Sequence, residues 1–387
     1  MTINHEPLKF AYWVPNVSGG LVISNIEQRT DWTYDYNVKV AQLAENNGFE
    51  YALSQVRYTA SYGADQQHES TSFSLGLLTQ TERLKVIAAV HPYFWNPAVL
   101  AKWLITADHI SGGRAAVNIV SGWFKGEAVD LGVRWLEHGE RYRQSEEFVR
   151  VLRGLFESAA KGPFSHRGDF YQIHEFQLKP GPITSEDRPH PEIFQGGNST
   201  VAREVAGKVI DWYFSNGKDF DGFTEQYLEV NQNAALAGRE GAVKFGLNGF
   251  LVARDTEEEA RAVLEEIIEK ANPDAVEGFR GAVQQAGSST ADGKGMWSDS
   301  TFRDLVQYND GFRTGLVGTP DQIASRIVEY KKRGVNLFLL GFLHYLEDIE
   351  YFGTNILPLV RQKEAEVAAE DGVEFQTPAH EVPETVS

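Results

Sequence analysis

The stretch GGRAAVNIVSGWFKGE, residues Gly112–Glu127, decides how the chain is read. Two glycines open an apolar run, and the run ends in Ser121, Gly122 and Trp123 before a charged turn. It lacks the alternation of a strand with one wet face. It therefore reads as a strand buried on both faces, the kind parallel sheets use. Its polar end then needs a reason, because a buried strand has little use for Asn118, Ser121 and a large aromatic. One reason is an active site at the strand's C-terminal end, with Trp123 as wall or lid. The plainer alternative is a strand exit packed by tryptophan, and the charges of Lys125 and Glu127 need no function.

Seven more strand candidates lie around it, at 8–15, 50–54, 84–90, 191–199, 210–215, 243–253 and 335–342. Helical patterns fill the gaps between them, at 32–49, 72–79, 97–109, 141–158, 201–207, 223–238, 255–271, 318–334 and 346–360. Several carry start signals, such as Pro97 in a first turn and Asp255-Thr256 ahead of three glutamates. Residues 164–179 alternate aromatic and polar and are expected to form a hairpin. Buried parallel strands alternating with helices point to an α/β fold, a (β/α)8 TIM barrel over residues 1–365. An open doubly wound sheet is the competing arrangement. Its dinucleotide signature GxGxxG is missing after the first strand, which ends VPNVSGG.

Residues 272–312 break the rhythm. They include the Gly/Ser-rich AGSSTADGKG and are expected to be a mobile insertion. The acidic tail 366–387 is expected to continue a short helix and then become disordered.

Composition narrows the function. The chain of 387 residues is 42% apolar and 23% charged, a globular balance. Cysteine is absent, which excludes disulfides, thiolate nucleophiles and cysteine-ligated metals. No eighteen-residue apolar run offers a membrane span. The beginning, MTINHEPLKF, lacks signal-peptide regions, so a cytoplasmic location is expected. A formal charge of −18 argues against nucleic acid as a partner.

In a barrel the strand ends make the site, and here they carry neutral hydrogen-bonding groups and aromatics. Paired carboxylates, a Ser–His–Asp set and HExxH spacing are all missing, so no metal site is expected. Such a rim suits a planar organic cofactor. In FQGGNSTVAREVAG a strand turns through Gly196 and Gly197 onto a helix, where backbone N–H groups and hydroxyls would hold a phosphate or merely cap the helix. Arg141 and Tyr142 in HGERYRQSEEF would reach the same phosphate or lie at the surface.

Taken together, ISGGRAAVNIVSGW, LEHGERYRQSEEFVRVLRGLF, RGDFYQIHEFQLKPGP, PEIFQGGNSTVAREVAG and LVGTPDQIASRIVEYKKRGVNLFLLGF resemble the flavin-dependent monooxygenases of the bacterial luciferase-like superfamily. The likeness extends over roughly residues 8–361. It implies a barrel that uses reduced FMN and O2, with the flavin reduced by a separate NAD(P)H-dependent FMN reductase that docks transiently. It implies Ser54 and Gln55 beside the flavin ring, Ala88 on the strand behind it, and Asn118 near the ring or ribityl chain. Arg141, Tyr142, Gly197, Asn198 and Ser199 match the ribityl and phosphate region. A homodimer or homotetramer is expected by the same likeness.

Related alkanesulfonate monooxygenases carry Arg and His on the seventh strand, where this chain has Asn248 and Phe250. A tyrosine of theirs becomes Phe342, while His344 is kept. An anionic sulfonate needs a cation in a desolvated pocket, so losing that arginine points to a small neutral organosulfur substrate such as dimethyl sulfone. Oxygen transfer and C–S cleavage would yield methanesulfinate and formaldehyde. His344 and then His91 are candidates for proton management, and either also reads as a structural histidine, His91 the more so. Trp13, Phe250 and Phe342 would shape an apolar pocket. The alternatives are an alkanesulfonate monooxygenase, a dehydrogenase using the deazaflavin F420, and a non-catalytic flavin-binding protein.

Overall fold

The computed structural model describes residues 4–185, 188–287 and 297–378. Eight parallel strands close on themselves, which removes the open-sheet alternative. In chain order they are β1 (Lys9–Val14), β2 (Tyr51–Ser54), β3 (Lys85–Val90), β4 (Ala115–Ile119), β5 (Ile193–Gly196), β6 (Trp212–Ser215), β7 (Lys244–Phe250) and β8 (Leu337–Gly341). Each pairs with its chain neighbours, and β1 pairs with β8 to complete the ring. Among the described residues no helix is long and apolar enough to cross a membrane.

Both faces of each strand are buried, and this explains the missing alternation. One face packs on the surrounding helices. The other fills the barrel with Ala11, Leu53, Ile87, Ala89, Ala116 and Leu339. At the N-terminal end the filling is aromatic: Phe194 stacks on Trp212 at 5.3 Å, and Tyr51 meets both edge-on. Below them Glu192 accepts from the Tyr51 hydroxyl, the Trp212 indole and Lys85. These bonds hold its carboxyl below the usual range despite its burial. The barrel floor is a packed plug.

Some expectations change. The seventh strand does not run through to Ala253. It ends at Phe250, and Val252–Ala253 pairs instead with Val317–Gly318. The glycines explain how neighbours crowd this strand: the Phe214 ring fills the space a Cβ of Gly246 would need, and Leu316 does so at Gly249. A short helix Lys125–Asp130 precedes the long helix His138–Lys161. The closing helix is interrupted by a π turn, Phe352–Ile356, just before Pro358, whose ring nitrogen cannot donate. The expected hairpin is present as Phe164–Arg167 with Gln172–Phe176.

Much of the 272–312 segment is ordered structure rather than loop: helix Pro273–Gly287, the short helix Phe302–Leu305 and the turn Gly311–Thr314. The middle of it, 288–296, lies outside the described residues, as does 379–387 of the tail. The last helix runs Leu357–Glu370, so the boundary expected at 365 falls inside it.

Candidate functional site

Above the packed filling, the C-terminal mouth of the barrel opens into a cleft lined by aromatic and amide side chains. Strand ends build its walls. Trp13 from β1, Asn118 from β4 and Asn248 from β7 share the inward faces of their strands, and Gln55 follows β2. The 272–312 segment supplies the roof with Phe279, Trp297, Tyr308 and Asn309. Trp123 packs edge-on against both Phe279 and Trp297, at 5.7 and 5.4 Å. Trp13 Nε1 donates to Asn248 Oδ1 at 2.6 Å, and Asn248 Nδ2 donates to the Asn309 carbonyl at 2.8 Å.

Several polar atoms here are buried with no partner in the protein: Gln55 Nε2, Asn118 Oδ1 and Asn216 Nδ2. Buried polar groups are normally satisfied, so orphans converging on one cavity mark a ligand that satisfies them. Two donors and an acceptor between aromatic walls fit the edge of a flat heterocycle such as the flavin.

A second cluster adjoins the cleft through Gly196, which lines it. Gly197 has φ +141°, and a Cβ there would lie 2.5 Å from the Tyr142 hydroxyl and 2.7 Å from Ala202. The glycine thus lets the turn press against its neighbours. Ser199 caps helix Thr200–Val209 by accepting from Ala202 N. Its hydroxyl also meets His138 Nε2 at 3.1 Å and the Tyr142 phenol. His138 Nδ1 lies 3.3 Å from Arg141 Nη2, and the guanidinium sits 4.2 Å over Trp135. Arg141 is buried, its Nε has no partner, and burial lowers its pKa. Burial pushes the Tyr142 phenol up to about 12, so it stays protonated. A helix start, two hydroxyls and a buried arginine suit a phosphate. Asn198 lies buried beside them, its Oδ1 accepting from Gln226 at 3.4 Å.

Six expected residues lie elsewhere. Ala88 shares the outward face of Val86 and Val90, and it is Ala89 that lines the cleft. Ser54 likewise ends the outward face of β2, its buried hydroxyl unpartnered. Phe342 faces the helices, against Phe49 and Tyr345. Phe250 is buried edge-on to Phe312, at 5.2 Å, beneath the roof. His344 starts helix Tyr345–Tyr351, its Nδ1 accepting from Arg29 N at 3.2 Å. Burial and Arg29 lower its pKa. His91 is buried behind the cleft: its Nδ1 donates to the Val120 carbonyl at 2.8 Å, and its ring stacks on Tyr93. Burial drives its pKa down to about 4. Val120 lines the cleft, so His91 holds the wall rather than facing the cavity.

Three residues escaped the sequence reading. His138 lies one helical turn before Arg141 and Tyr142, a spacing that puts all three on one face. Glu127 is buried and accepts from Tyr58 N and Thr59 N, at 2.6 and 3.0 Å. Arg57 lines the cleft, 7% exposed, so the pocket does contain a cation. Its place three residues beyond the end of β2 was the available signal.

A Luciferase-like monooxygenase family model matches residues 8–337. The chain is 59% identical over 361 residues to an FMNH2-dependent dimethylsulfone monooxygenase of Pseudomonas putida, covering 93% of this chain and 97% of that relative. A protein of the same description from Pseudomonas fluorescens (strain Pf0-1) is 56% identical over 363 residues, covering 94% and 97%. Among solved structures, a riboflavin lyase with modified FMN and riboflavin superposes with a TM-score of 0.78 at 18% identity, covering 97% of this chain and 95% of that one. That likeness is of fold alone.

Proposed function

We propose the following of a chain that belongs to the luciferase-like monooxygenase family: it is an FMNH2-dependent monooxygenase that cleaves the C–S bond of a small organosulfur compound, best fitted by dimethyl sulfone. The reaction is dimethyl sulfone, FMNH2 and O2 to methanesulfinate, formaldehyde, FMN and water. The near-full-length identity to the two Pseudomonas enzymes carries this reading. When bound, the reduced flavin supplies the electrons that activate O2.

The chain's own part is to bind, orient and exclude water. Gln55, Asn118 and Asn216 offer the unpaired atoms that would hold the ring edge. Arg141, Tyr142, Gly197, Asn198 and Ser199 would hold the ribityl phosphate, with His138 linking arginine to serine. Trp13, Trp123 and the roof aromatics would keep the chamber dry. Ser54, Ala88, Phe250 and Phe342 would act from the layer behind the walls, through packing. The barrel expected over 1–365 is assigned as one domain that includes the roof and closes with helix Leu357–Glu370, so the tail of 366–387 begins within that helix.

A separate NAD(P)H-dependent reductase would deliver the reduced flavin. The protein is assigned to the cytoplasm, where reduced nicotinamide is available, and to a homodimer or homotetramer. The test is product formation from dimethyl sulfone and, in parallel, methanesulfonate, with FMNH2 and O2. Methanesulfinate and formaldehyde that depend on sulfone and enzyme are expected. Turnover of methanesulfonate alone would overturn the substrate assignment.

A further inference from the structure

We propose that Arg57 is the specificity-determining residue of the cleft: its guanidinium binds the sulfonyl oxygens of the substrate and takes up the negative charge of the departing sulfinate. The inference rests on the sulfone reading for its substrate, and on the geometry of Arg57 for its chemistry.

Arg57 is buried at the cleft wall without a carboxylate partner among the described residues. Among the described residues other buried cations are paired with carboxylates, while Arg141 lacks such a partner like Arg57 and belongs to the phosphate cluster. Arg203 holds Glu229, and Lys331 and Arg361 share Glu364. Among the described residues the hydrogen bonds of Arg57 are those of Nη1 to Ser61, at 3.2 Å to Oγ and 3.4 Å to the carbonyl. Glu127, the carboxylate near enough to act on it electrostatically, is occupied by two backbone N–H groups. The rest of the surroundings is aromatic. The guanidinium carbon lies 5.3 Å from the rings of Trp123 and Tyr308 and 5.7 Å from Tyr62. Such faces tolerate a cation, but they leave its outward N–H groups unsatisfied.

A buried cation with spare donors, in a cavity, asks for an oxygen-rich partner that carries charge for part of the reaction. Dimethyl sulfone is neutral with two oxygens on sulfur. Its product is an anion with two oxygens on sulfur, and a guanidinium fork matches both. Once FMNH2 and O2 have placed an oxygen on a methyl carbon, its C–S bond breaks with the electron pair on sulfur while that carbon and oxygen form the carbonyl of formaldehyde and the hydroxyl proton leaves, so negative charge develops on the sulfinate beside Arg57. The protein's net charge of −18 then favours departure of the anion.

The experiment measures methanesulfinate binding to the FMN-loaded oxidised protein, without turnover, for the unaltered chain, Arg57→Gln and Arg57→Lys. Flavin affinity and circular dichroism report folding. Loss of one charge-assisted bidentate contact is expected to weaken sulfinate binding by about tenfold to a hundredfold in Arg57→Gln. Arg57→Lys should retain part of the affinity, and flavin affinity should hold in both. Sulfinate affinity unchanged in a folded Arg57→Gln overturns the proposal and leaves Arg57 as packing for the aromatic wall. If Arg57→Gln does not fold, Arg57→Lys decides: affinity unaltered by loss of the planar fork counts against recognition, and weakened affinity supports it. Arginine-dependent sulfinate binding without sulfone turnover would fail the function reading, overturn the assignment of Arg57 to a sulfone substrate and keep only its anion-binding chemistry.

Discussion

The Trp13 indole donates to Asn248 Oδ1 at 2.6 Å, and so fastens β1 to β7 across the cleft. The same amide donates to the Asn309 carbonyl and ties the roof to the barrel. Trp13→Phe removes the donor, leaves a buried carbonyl oxygen unsatisfied and should cost about 1–3 kcal/mol in urea unfolding. Asn248→Ala frees the roof as well. It should raise the sulfone KM more than it lowers kcat, which steady-state kinetics would read.

Arg141→Ala and Ser199→Ala should each weaken FMN binding, by about tenfold or more for a lost charge-assisted contact. Fluorescence titration measures it. Ser199→Ala also removes a helix cap worth about 1 kcal/mol, so its loss of stability should exceed that of a surface substitution. Unchanged affinity in both variants would remove the phosphate assignment.

His91 is held neutral by burial, with its pKa down at about 4. The unfolded chain takes up that proton near pH 6.5, the folded chain only near pH 4, so stability falls as pH drops through that window. The loss from this one group should reach about 2 kcal/mol at pH 5 relative to pH 8. His91→Gln keeps a donor for the Val120 carbonyl and does not titrate. Urea unfolding at the two pH values should show a smaller difference for that variant.

Asp310 behaves in the opposite sense. Burial raises its carboxyl to about 7, against the pull of the Ser300 hydroxyl, Lys218 and Arg313. Its contribution is fully present below the ordinary carboxylate range and is lost as pH rises through 7. Asp310→Asn, which still accepts from Ser300 and tolerates the residue's φ of +56°, should stabilise the protein at pH 8 by on the order of 3 kcal/mol. Little change is expected at pH 4, and thermal melts at both values check it.

The barrel was legible because its strands are apolar on both faces and are punctuated by glycine and proline. The phosphate cluster was legible because Gly197–Ser199 and Arg141–Tyr142 are short local motifs. Which face a strand residue takes was harder. Ala88 and Ala89 are chemically identical, and one step of register moves the methyl from the helix layer to the cavity. Phe250 and Phe342 are apolar in a region where core and pocket are both apolar. Composition therefore does not separate them. Arg57 was missed because a lone arginine after a strand usually lies in solvent. Its guanidinium packs on Tyr308, more than two hundred residues away in sequence.

The aromatic plug beneath the cleft, with Glu192 as its hydrogen-bonded base, gives the chamber a dead end. Among the described residues the floor offers no exit, so traffic passes the doorway at the mouth. Whatever enters last must leave first, and a small reactant retained beneath a larger one waits for that doorway to clear. Sequential turnover would be a property of the plugged barrel, before any residue at the mouth acts.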